Sequence, residues 1–431
     1  MNNNQLNLPP IFLKYFFSIQ SPLKALPTLC LLLCTVTLSG FSGRTYSTER
    51  VTKAKVWVGT WGTGLQAVEA RNMPPAPGLS NNKLRQVVCV SIGGKRLRLK
   101  FSNQFGKSPV TMKAVQIAVS TGGGKIEKST AKNLKFNGRQ EITMEPGTDI
   151  VSDPVEFDVK PRTEVAITIC YGETSAIMTG HPGSFTTSYL LGGQHAEPIA
   201  DFKDAVATKH WYTITGIDVE ASKPAGTVVV FGDSITDGNG SGTDKQNRWP
   251  DILEMALLKN PATKQVGVLN MGIGGNCVLR AGFGPSGADR FDREVTQQSG
   301  VRWLVIFEGI NDLGATRDST SAAEVANNLI AAYDKMIAKA HAQGIKVYGA
   351  TITPVKRSFY YTSYKDAARN VVNKWIRTSG HFDAVIDFDQ AIRDPNDESG
   401  ILPANQSGDY LHPSELGYQV MGRSIDLSLF K

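Results

Sequence analysis

Residues 227–238 read TVVVFGDSITDG, and this stretch decides the fold of the C-terminal part of the chain. The run Thr227 to Phe231 is apolar and rich in β-branched residues, which predicts a buried strand. The small residues around Ser234 then allow a sharp turn from strand into helix that exposes the serine hydroxyl. Ser234 is therefore a candidate nucleophile, although Gly-Asp-Ser is equally typical of an ordinary turn and a helix N-cap.

Four further β-rich runs follow, with helical stretches between them. Helical stretches at 321–343 and 363–378 are each followed by a glycine, Gly344 and Gly380, where a helix C-cap favours one. This alternation predicts a mainly parallel sheet with helices on both faces and a functional site at the carboxyl ends of its strands. The five predicted strands are 227–231, 265–270, 303–308, 346–352 and 384–388.

Residues suited to bind a ligand come after the second and third of these strands. Gly274 and Gly275 follow the second strand and let a backbone N–H approach a ligand closely. They are not a dinucleotide loop, because the full GxGxxG pattern is absent. Asn311 follows the third strand and offers a side-chain amide, although an Asx turn would use the same residue.

A serine nucleophile needs a base, and the positions of the histidines single out one candidate. Of the six histidines, His412 alone follows the last predicted strand, whereas His381 precedes it and the others lie in the β-rich part or within a helical stretch. Asp409 is three residues earlier and could accept the Nδ1 proton round a turn, so that Nε2 faces Ser234. Asp-x-x-His is common by chance, but its place at the same edge of the sheet favours this role.

These four blocks resemble, in order and spacing, those of the SGNH (GDSL) hydrolases, and the resemblance covers about residues 226–431. It implies a three-layer α/β/α domain, residues 225–431, with a five-stranded parallel sheet. It also implies an ester-hydrolysing serine enzyme that needs no metal and no cofactor.

The resemblance further implies a role for each block residue. Ser234 would be the nucleophile, His412 the general base and Asp409 its orienting carboxylate. The oxyanion hole would comprise the N–H groups of Ser234 and Gly275 and the side-chain amide of Asn311.

Two variants point within the family, FEGIND at 307–312 and NRWP at 247–250. Together with a preceding β domain they look like secreted esterases found beside xylan-degrading enzymes, which remove acetyl groups from plant polysaccharides. A structural interpretation is that Glu308 only pairs with Arg248. The partner this subgroup implies is an acetylated oligo- or polysaccharide.

Residues 51–220 show short alternating runs separated by turn residues, which predicts an all-β sandwich resembling a jelly roll. Its clearest unit is a predicted hairpin, 86–92 and 95–101, turning at Gly93-Gly94. Within the second strand Arg96, Arg98 and Lys100 form a basic row on one face. A solvated strand face is the favoured interpretation, and a docking surface for an acidic polymer is the alternative.

Lysines precede the short apolar run 25–38, which small residues follow, so residues 1–43 are predicted to be an export signal, with an uncleaved anchor as the alternative. The protein is therefore expected to be secreted or periplasmic. Export would permit one disulfide, for which Cys89 and Cys170 are the expected pair. The net charge of +7 is spread along the chain, which predicts no nucleic-acid partner and no stable membrane partner.

Three functions remain open from the sequence. The favoured one is a carbohydrate O-acetylesterase. The second is a lipase or phospholipase of the same family, suggested by Phe283, Ile401 and Leu402 near the predicted site. The third is a glycan-binding protein in which the β domain and its basic row do the work.

Overall fold

The computed structural model describes residues 54–193 and 198–431. The predicted export signal lies outside the described residues. We call the part that carries strands β1–β15 the β half and the part from Gly226 onward the α/β half. The strands are β1 Lys55–Gly62, β2 Gln66–Ala67, β3 Lys83–Cys89, β4 Gly94–Ser102, β5 Val110–Gly122, β6 Lys125–Asn133, β7 Ile142–Met144, β8 Asp149–Val151, β9 Val155–Val159, β10 Glu164–Tyr171, β11 Thr179–His181, β12 Ser188–Leu191, β13 Val206–Thr208, β14 Trp211–Tyr212, β15 Ile214–Ser222, β16 Gly226–Gly232, β17 Val266–Gly272, β18 Val301–Phe307, β19 Lys346–Ala350, β20 Ala384–Ile386, β21 Arg393–Asp394 and β22 Asp397–Ile401.

The α-helices of the described residues lie in the α/β half, between and after its strands. Two of them end where the sequence predicts, because Gly344 and Gly380 adopt positive φ angles of 71° and 75° just beyond the ends of α5 and α6. The helices are α1 Ser234–Asp237, α2 Trp249–Lys259, α3 Gly287–Phe291, α4 Ile310–Gly314, α5 Ser319–His341, α6 Ser363–Thr378, α7 Phe388–Ile392 and α8 Glu415–Ser424. None of the helices in these described ranges has the length and apolar character needed to cross a membrane.

Strands β16–β20 form a five-stranded parallel sheet in the order β17-β16-β18-β19-β20, which confirms the predicted sheet. Alternate residues of β16 pack on opposite faces. Val229 and Phe231 share a core with α5 and α6, and Val228 and Val230 share one with α2 and α8. The carboxyl ends of β16, β17 and β18 therefore meet at one edge, flanked by helices on both faces.

The β half is strand-rich, as predicted, and its strands form two larger antiparallel sheets around one apolar core. One sheet has the order β1-β15-β4-β8, with β9 also paired to β4. The other has the order β13-β12-β3-β10-β5-β6, with β7 also paired to β5. Strands β14, β11 and β2 form a small third sheet. The finer comparison with a jelly roll stays a prediction.

The predicted hairpin at Gly93-Gly94 is wrong, because its two strands belong to different sheets. Strand β3 pairs with β10 and β12, whereas β4 pairs with β15, β8 and β9. A methyl group on Gly93 would overlap the backbone oxygen of Val159, and one on Gly94 would overlap the side chain of Val219. The two glycines therefore lie where the chain passes from one sheet to the other, in close contact with β9 and β15 beside β4, and do not form a hairpin turn.

The basic row on β4 is not a solvated face. Arg98 and Lys100 both contact the carboxylate of Asp218, each at 2.9 Å, and Arg96 contacts Glu220 at 2.9 Å. Arg98 and Lys100 also reach Ser299 of the α/β half. The row is therefore neutralised by acidic neighbours and takes part in the contact between the two halves.

The expected disulfide is also wrong, because Cys89 and Cys170 are free and buried. They lie on the paired strands β3 and β10, but Cys89 stands opposite Glu164 and Cys170 stands opposite Lys83. The two thiols are thus at opposite ends of an antiparallel pair, too far apart for a bond.

The β half packs closely against β17, the edge strand of the parallel sheet. The backbone of β1 lies flush on it, because a side chain at Gly59 would overlap Leu269 and one at Gly62 would overlap Met271. The Ser91 hydroxyl accepts a hydrogen bond from the Val268 backbone N–H at 3.0 Å. The β half thereby covers an edge that would otherwise present unpaired backbone groups.

Candidate functional site

Ser234 lies at the carboxyl end of β16, as the first residue of α1. The Asp233 carboxylate caps this short helix by accepting a hydrogen bond from the Ile235 N–H at 2.9 Å. Gly238 ends it with a φ angle of 116°, which favours glycine. The strand-to-helix turn predicted from the sequence is therefore present, and it holds Ser234 in the wall of a cleft.

The structure brings Ser234, His412 and Asp409 together. The Ser234 Oγ atom lies 2.8 Å from Nε2 of His412, and His412 Nδ1 lies 2.6 Å from Oδ2 of Asp409. Because the carboxylate can only accept at Nδ1, the ring proton sits there and Nε2 is left to accept the serine proton. The chain of contacts has the polarity that a base-activated serine needs.

Hydrogen bonds from the backbone hold Asp409 in this role. Burial opposes its ionisation, but bonds from the backbone N–H and ring of His412 and from the Leu411 N–H outweigh burial and lower the pKa of the carboxyl. The amide nitrogen of Asn239 lies 3.2 Å from both ring nitrogens of His412 and so packs against the ring. The imidazole is thus fixed in both tautomer and orientation.

The predicted oxyanion-hole residues line the same cleft. Within the described ranges, neither the Ser234 nor the Gly275 backbone N–H donates a hydrogen bond. The amide of Asn311 gives one N–H to the backbone oxygen of Asn276 at 2.8 Å and accepts from the Tyr360 hydroxyl at 2.9 Å. These two contacts fix the orientation of the Asn311 amide and leave its second N–H for a ligand.

Buried Arg290 connects the segments that carry the site through hydrogen bonds. Its buried guanidinium donates to the backbone oxygen of Gly232 at 2.8 Å, to that of Met271 at 2.6 Å and to the Asn276 side chain at 2.9 Å. These acceptors belong to the ends of β16 and β17 and to the loop after β17. Arg290 therefore fixes the nucleophile turn relative to the glycines that follow the second strand.

Glu308 pairs with Arg290 at 3.3 Å, and not with Arg248 as the sequence interpretation has it. Arg248 instead donates to the backbone oxygen of Ser184 and lies beside Asp251. Burial raises the pKa of Glu308 to about 8 in spite of the Arg290 charge. Glu308 is thus a structural support of the strand-end loops.

The cleft has a volume of about 360 Å³, and both halves of the chain form its walls. Part of the wall is polar: the Glu69 carboxylate accepts hydrogen bonds from Gln66 at 2.7 Å and from Asn72 at 2.9 Å. The mouth carries exposed aromatic rings, with Phe359 74% exposed and Phe283 46% exposed. The β half contributes Gln66, Glu69, Arg71, Asn72, Pro182, Gly183, Phe185 and His210.

The sequence reasoning missed one buried pair next to the nucleophile. His181 of β11 lies 2.8 Å from Asp237, the last residue of α1, and the other Asp237 oxygen accepts from the Gly274 N–H at 2.9 Å. His181 is passed over in the sequence because it belongs to the β-rich part, and no local signal marks a partner 56 residues away. In the described part of the chain, no cluster of His, Cys, Asp or Glu has the arrangement of a metal site.

Comparison with known proteins assigns this region to a family. Residues 230–420 match the model of the GDSL-like lipase/acylhydrolase family. The match includes every predicted site residue from Ser234 to His412. A search of curated proteins found no match.

Among solved structures, a lipolytic protein of the G-D-S-L family from Veillonella parvula is 20% identical and covers 46% of this chain and 96% of its own, with a TM-score of 0.33. A GDSL-like lipase from Bacteroides thetaiotaomicron is 20% identical, with coverages of 47% and 87% and a TM-score of 0.34. An acetyl xylan esterase is 21% identical, with coverages of 46% and 96% and a TM-score of 0.34. These similarities carry no argument about substrate. Residues 230–420 thus match the GDSL-like lipase/acylhydrolase family, and this match supports an ester-hydrolysing enzyme.

Proposed function

We propose that the protein removes O-acetyl groups from carbohydrate, with plant polysaccharide such as xylan as the substrate class. The observation that carries the reaction type is the chain of contacts from Ser234 through His412 to Asp409 beside two free backbone N–H groups. The Ser234 oxygen attacks the acetyl carbonyl carbon while Nε2 of His412 takes the hydroxyl proton. The oxyanion formed is stabilised by Ser234, Gly275 and Asn311.

Collapse of this intermediate breaks the ester bond, and His412 gives its proton to the leaving sugar oxygen. A water molecule then attacks the acetyl-enzyme, with His412 again taking the proton, and acetate and free Ser234 are released. Every proton is carried by His412, and Asp409 stabilises the imidazolium at each step.

The walls of the cleft support a carbohydrate leaving group. A carboxylate held by two neighbours, as Glu69 is by Gln66 and Asn72, offers a fixed acceptor for a sugar hydroxyl. The exposed rings of Phe283 and Phe359 offer flat apolar surface for the C–H face of a sugar ring. This combination of oriented polar groups and aromatic surface favours a glycan.

The second candidate is a lipase or phospholipase, and one observation favours it. Phe283 and Phe359 expose apolar surface at the mouth of the cleft, which an acyl chain could also cover. Ile401 no longer supports it, because its side chain is buried in the core of the α/β half. The glycan-binding alternative loses the support of the basic row, because these side chains are paired with carboxylates.

The test is acetate release from acetylated xylan by the mature protein, beside a series of aryl esters of increasing acyl length. We expect release to depend on Ser234, so that Ser234→Ala abolishes it, and turnover to fall sharply beyond short acyl chains. Turnover of long-chain esters that equals or exceeds that of acetyl esters would contradict the proposal and favour lipid substrates.

A matched pair of variants tests whether Glu69 contributes to binding of the glycan. We expect Glu69→Ala to raise KM for acetylated xylan and to leave KM for an aryl acetate unchanged, because only the first carries sugar hydroxyls. Glu141→Ala, at an exposed position of the β half outside the cleft, is the control. An equal effect of Glu69→Ala on KM for both substrates would show that Glu69 does not bind the sugar.

We also infer, from the export signal predicted at residues 1–43, that the enzyme acts outside the cytoplasm. N-terminal sequencing of the protein recovered after export tests this, since a start close to residue 44 is expected. Recovery of the intact chain in the cytoplasm would contradict it.

A further inference from the structure

The β half contributes a residue whose hydrogen bonds lead directly to the predicted oxyanion hole. His181 is 2% exposed and lies on β11, the central strand of the small third sheet. Its Nδ1 atom lies 2.8 Å from the backbone oxygen of Gly64, and its Nε2 atom lies 2.8 Å from Oδ1 of Asp237. Trp211 stacks on the ring at 5.8 Å between centroids, so the imidazole has little freedom to turn.

Both ring nitrogens of His181 therefore face acceptors. A backbone oxygen can only accept, so Nδ1 carries a proton, and an ionised Asp237 requires a second proton on Nε2. Burial opposes the imidazolium, but the Asp237 carboxylate outweighs burial and raises the pKa of His181. The contact is buried, and either side chain would be costly to leave without its partner.

Asp237 transmits this contact to the loop after β17. Its Oδ2 atom accepts the Gly274 N–H at 2.9 Å, and Gly274 directly precedes the predicted oxyanion donor. Asp237 can occupy this position only because residue 183 of the β half is glycine, since a methyl group there would overlap Oδ2 of Asp237. The position of the Gly275 N–H is thus set by a carboxylate that the β half holds in place.

We propose that His181 is a positioning residue for ester hydrolysis, which acts through Asp237 to hold the Gly274–Gly275 loop where its N–H meets the developing oxyanion. The β half would then contribute to the rate of acyl transfer as well as to substrate binding. The inference rests on Ser234 being the nucleophile of the proposed reaction, but it does not depend on the natural substrate.

The test uses the full chain, 4-nitrophenyl acetate as substrate and phenylboronic acid as a probe that forms a tetrahedral adduct at an active serine. Misplacing an oxyanion donor lowers the rate without weakening ground-state binding. We therefore expect His181→Leu to lower kcat by about 30- to 100-fold with KM within about two-fold. The inhibition constant of phenylboronic acid should rise in parallel with the loss of kcat. His181→Gln keeps a donor near Nε2 and should retain kcat within about ten-fold.

The matched control is Arg162→Met. Arg162 also joins the two halves, through Glu254 at 3.1 Å, but it does not contact Asp237. We expect it to lower the melting temperature and to leave kcat within about two-fold. A loss of kcat in Arg162→Met equal to that in His181→Leu, at equal melting temperature, would show that the rate follows stability and would overturn the inference.

Asp237→Ala covers the case in which His181→Leu does not fold. Ala offers no acceptor to either His181 or Gly274, so the same selective loss of kcat is expected. Unchanged kcat in a folded Asp237→Ala or His181→Leu protein, or a rise in KM with unchanged boronate inhibition, would overturn the inference. Inactivity of Ser234→Ala is the separate check on the proposed reaction, so the two failures are distinguishable.

Discussion

Replacing Arg290 by methionine tests how the strand-end loops are held together. The side chain is fully buried and donates to the backbone oxygens of Gly232 and Met271 and to the Asn276 side chain. Methionine fills a similar apolar volume but donates nothing, so all three acceptors lose a charged donor. These acceptors lie at the ends of β16 and β17 and in the loop after β17, so the change removes contacts that join three separate segments.

The magnitude follows from these contacts. A hydrogen bond from a charged donor contributes about 1.5–3 kcal/mol, so three bonds correspond to about 4.5–9 kcal/mol. Arg290 also pairs with the carboxylates of Glu294 and Glu308. Loss of the Glu308 pair adds little, because burial raises the pKa of this carboxyl to about 8. Breaking a buried pair typically costs about 3–5 kcal/mol. The two ranges are independent estimates of the same loss and overlap near about 5 kcal/mol, which is the decrease we expect in the free energy of unfolding.

The assay is urea unfolding followed by tryptophan fluorescence, with acetyl-ester turnover measured on the same samples. Arg293→Met is the control, since Arg293 is a partly exposed neighbour that pairs with Glu294, and we expect it to cost about 1 kcal/mol or less. Arg290→Lys keeps the charge but not the planar fork, and about half the full loss is expected. A loss below about 2 kcal/mol in Arg290→Met would refute the reasoning, because the three acceptors would then have found other partners.

Three further predictions concern the site itself. Asp409→Asn should lower kcat by about 10⁴-fold, measured with an acetyl ester, because an amide donor facing Nδ1 would move the ring proton of His412 to Nε2; a loss below ten-fold would show that the carboxylate does not fix the tautomer. Asn311→Leu should lower kcat by about 10²- to 10³-fold with little change in KM, and an effect confined to KM would place Asn311 in binding instead. Burial raises the pKa of Glu308 from 4.5 to about 8, so the folded protein holds a proton that the unfolded chain loses, and the free energy of unfolding should fall by up to about 1.4 kcal/mol per unit as pH rises between those values. Glu308→Gln should flatten this part of the pH curve in urea unfolding, and an unchanged slope would assign the effect to another group.

The parts of the fold and site that the sequence predicts are those encoded by neighbouring residues. The parallel strands show as short apolar runs, and Ser234, Gly275, Asn311 and His412 follow strand ends within a few residues. Chain topology brings such positions to one edge of a sheet without knowledge of any tertiary contact. Local sequence patterns therefore indicate the residues that the strand ends contribute to the cleft, but not those from the β half.

The parts that could not be predicted depend on contacts between distant segments. The His181–Asp237 contact joins the two halves, and no sequence pattern near either residue predicts the other as its partner. The Gly93-Gly94 pair illustrates the same limit, because a glycine needed for close approach to a neighbouring strand looks identical in sequence to one needed for a turn. Arg290 likewise gains its role only once the ends of β16 and β17 and the loop after β17 are brought together.

The close packing of β1 on β17 affects whether the α/β half can be produced without the β half. A fragment that starts at Gly226 would expose the edge of its sheet and the apolar side chains of Leu269 and Met271, which the glycines of β1 now cover. Such a fragment should aggregate during expression even though it carries every predicted site residue. Since the β half is synthesised first, it is present to cover this edge when the α/β half folds, and we expect the two halves to be inseparable in expression.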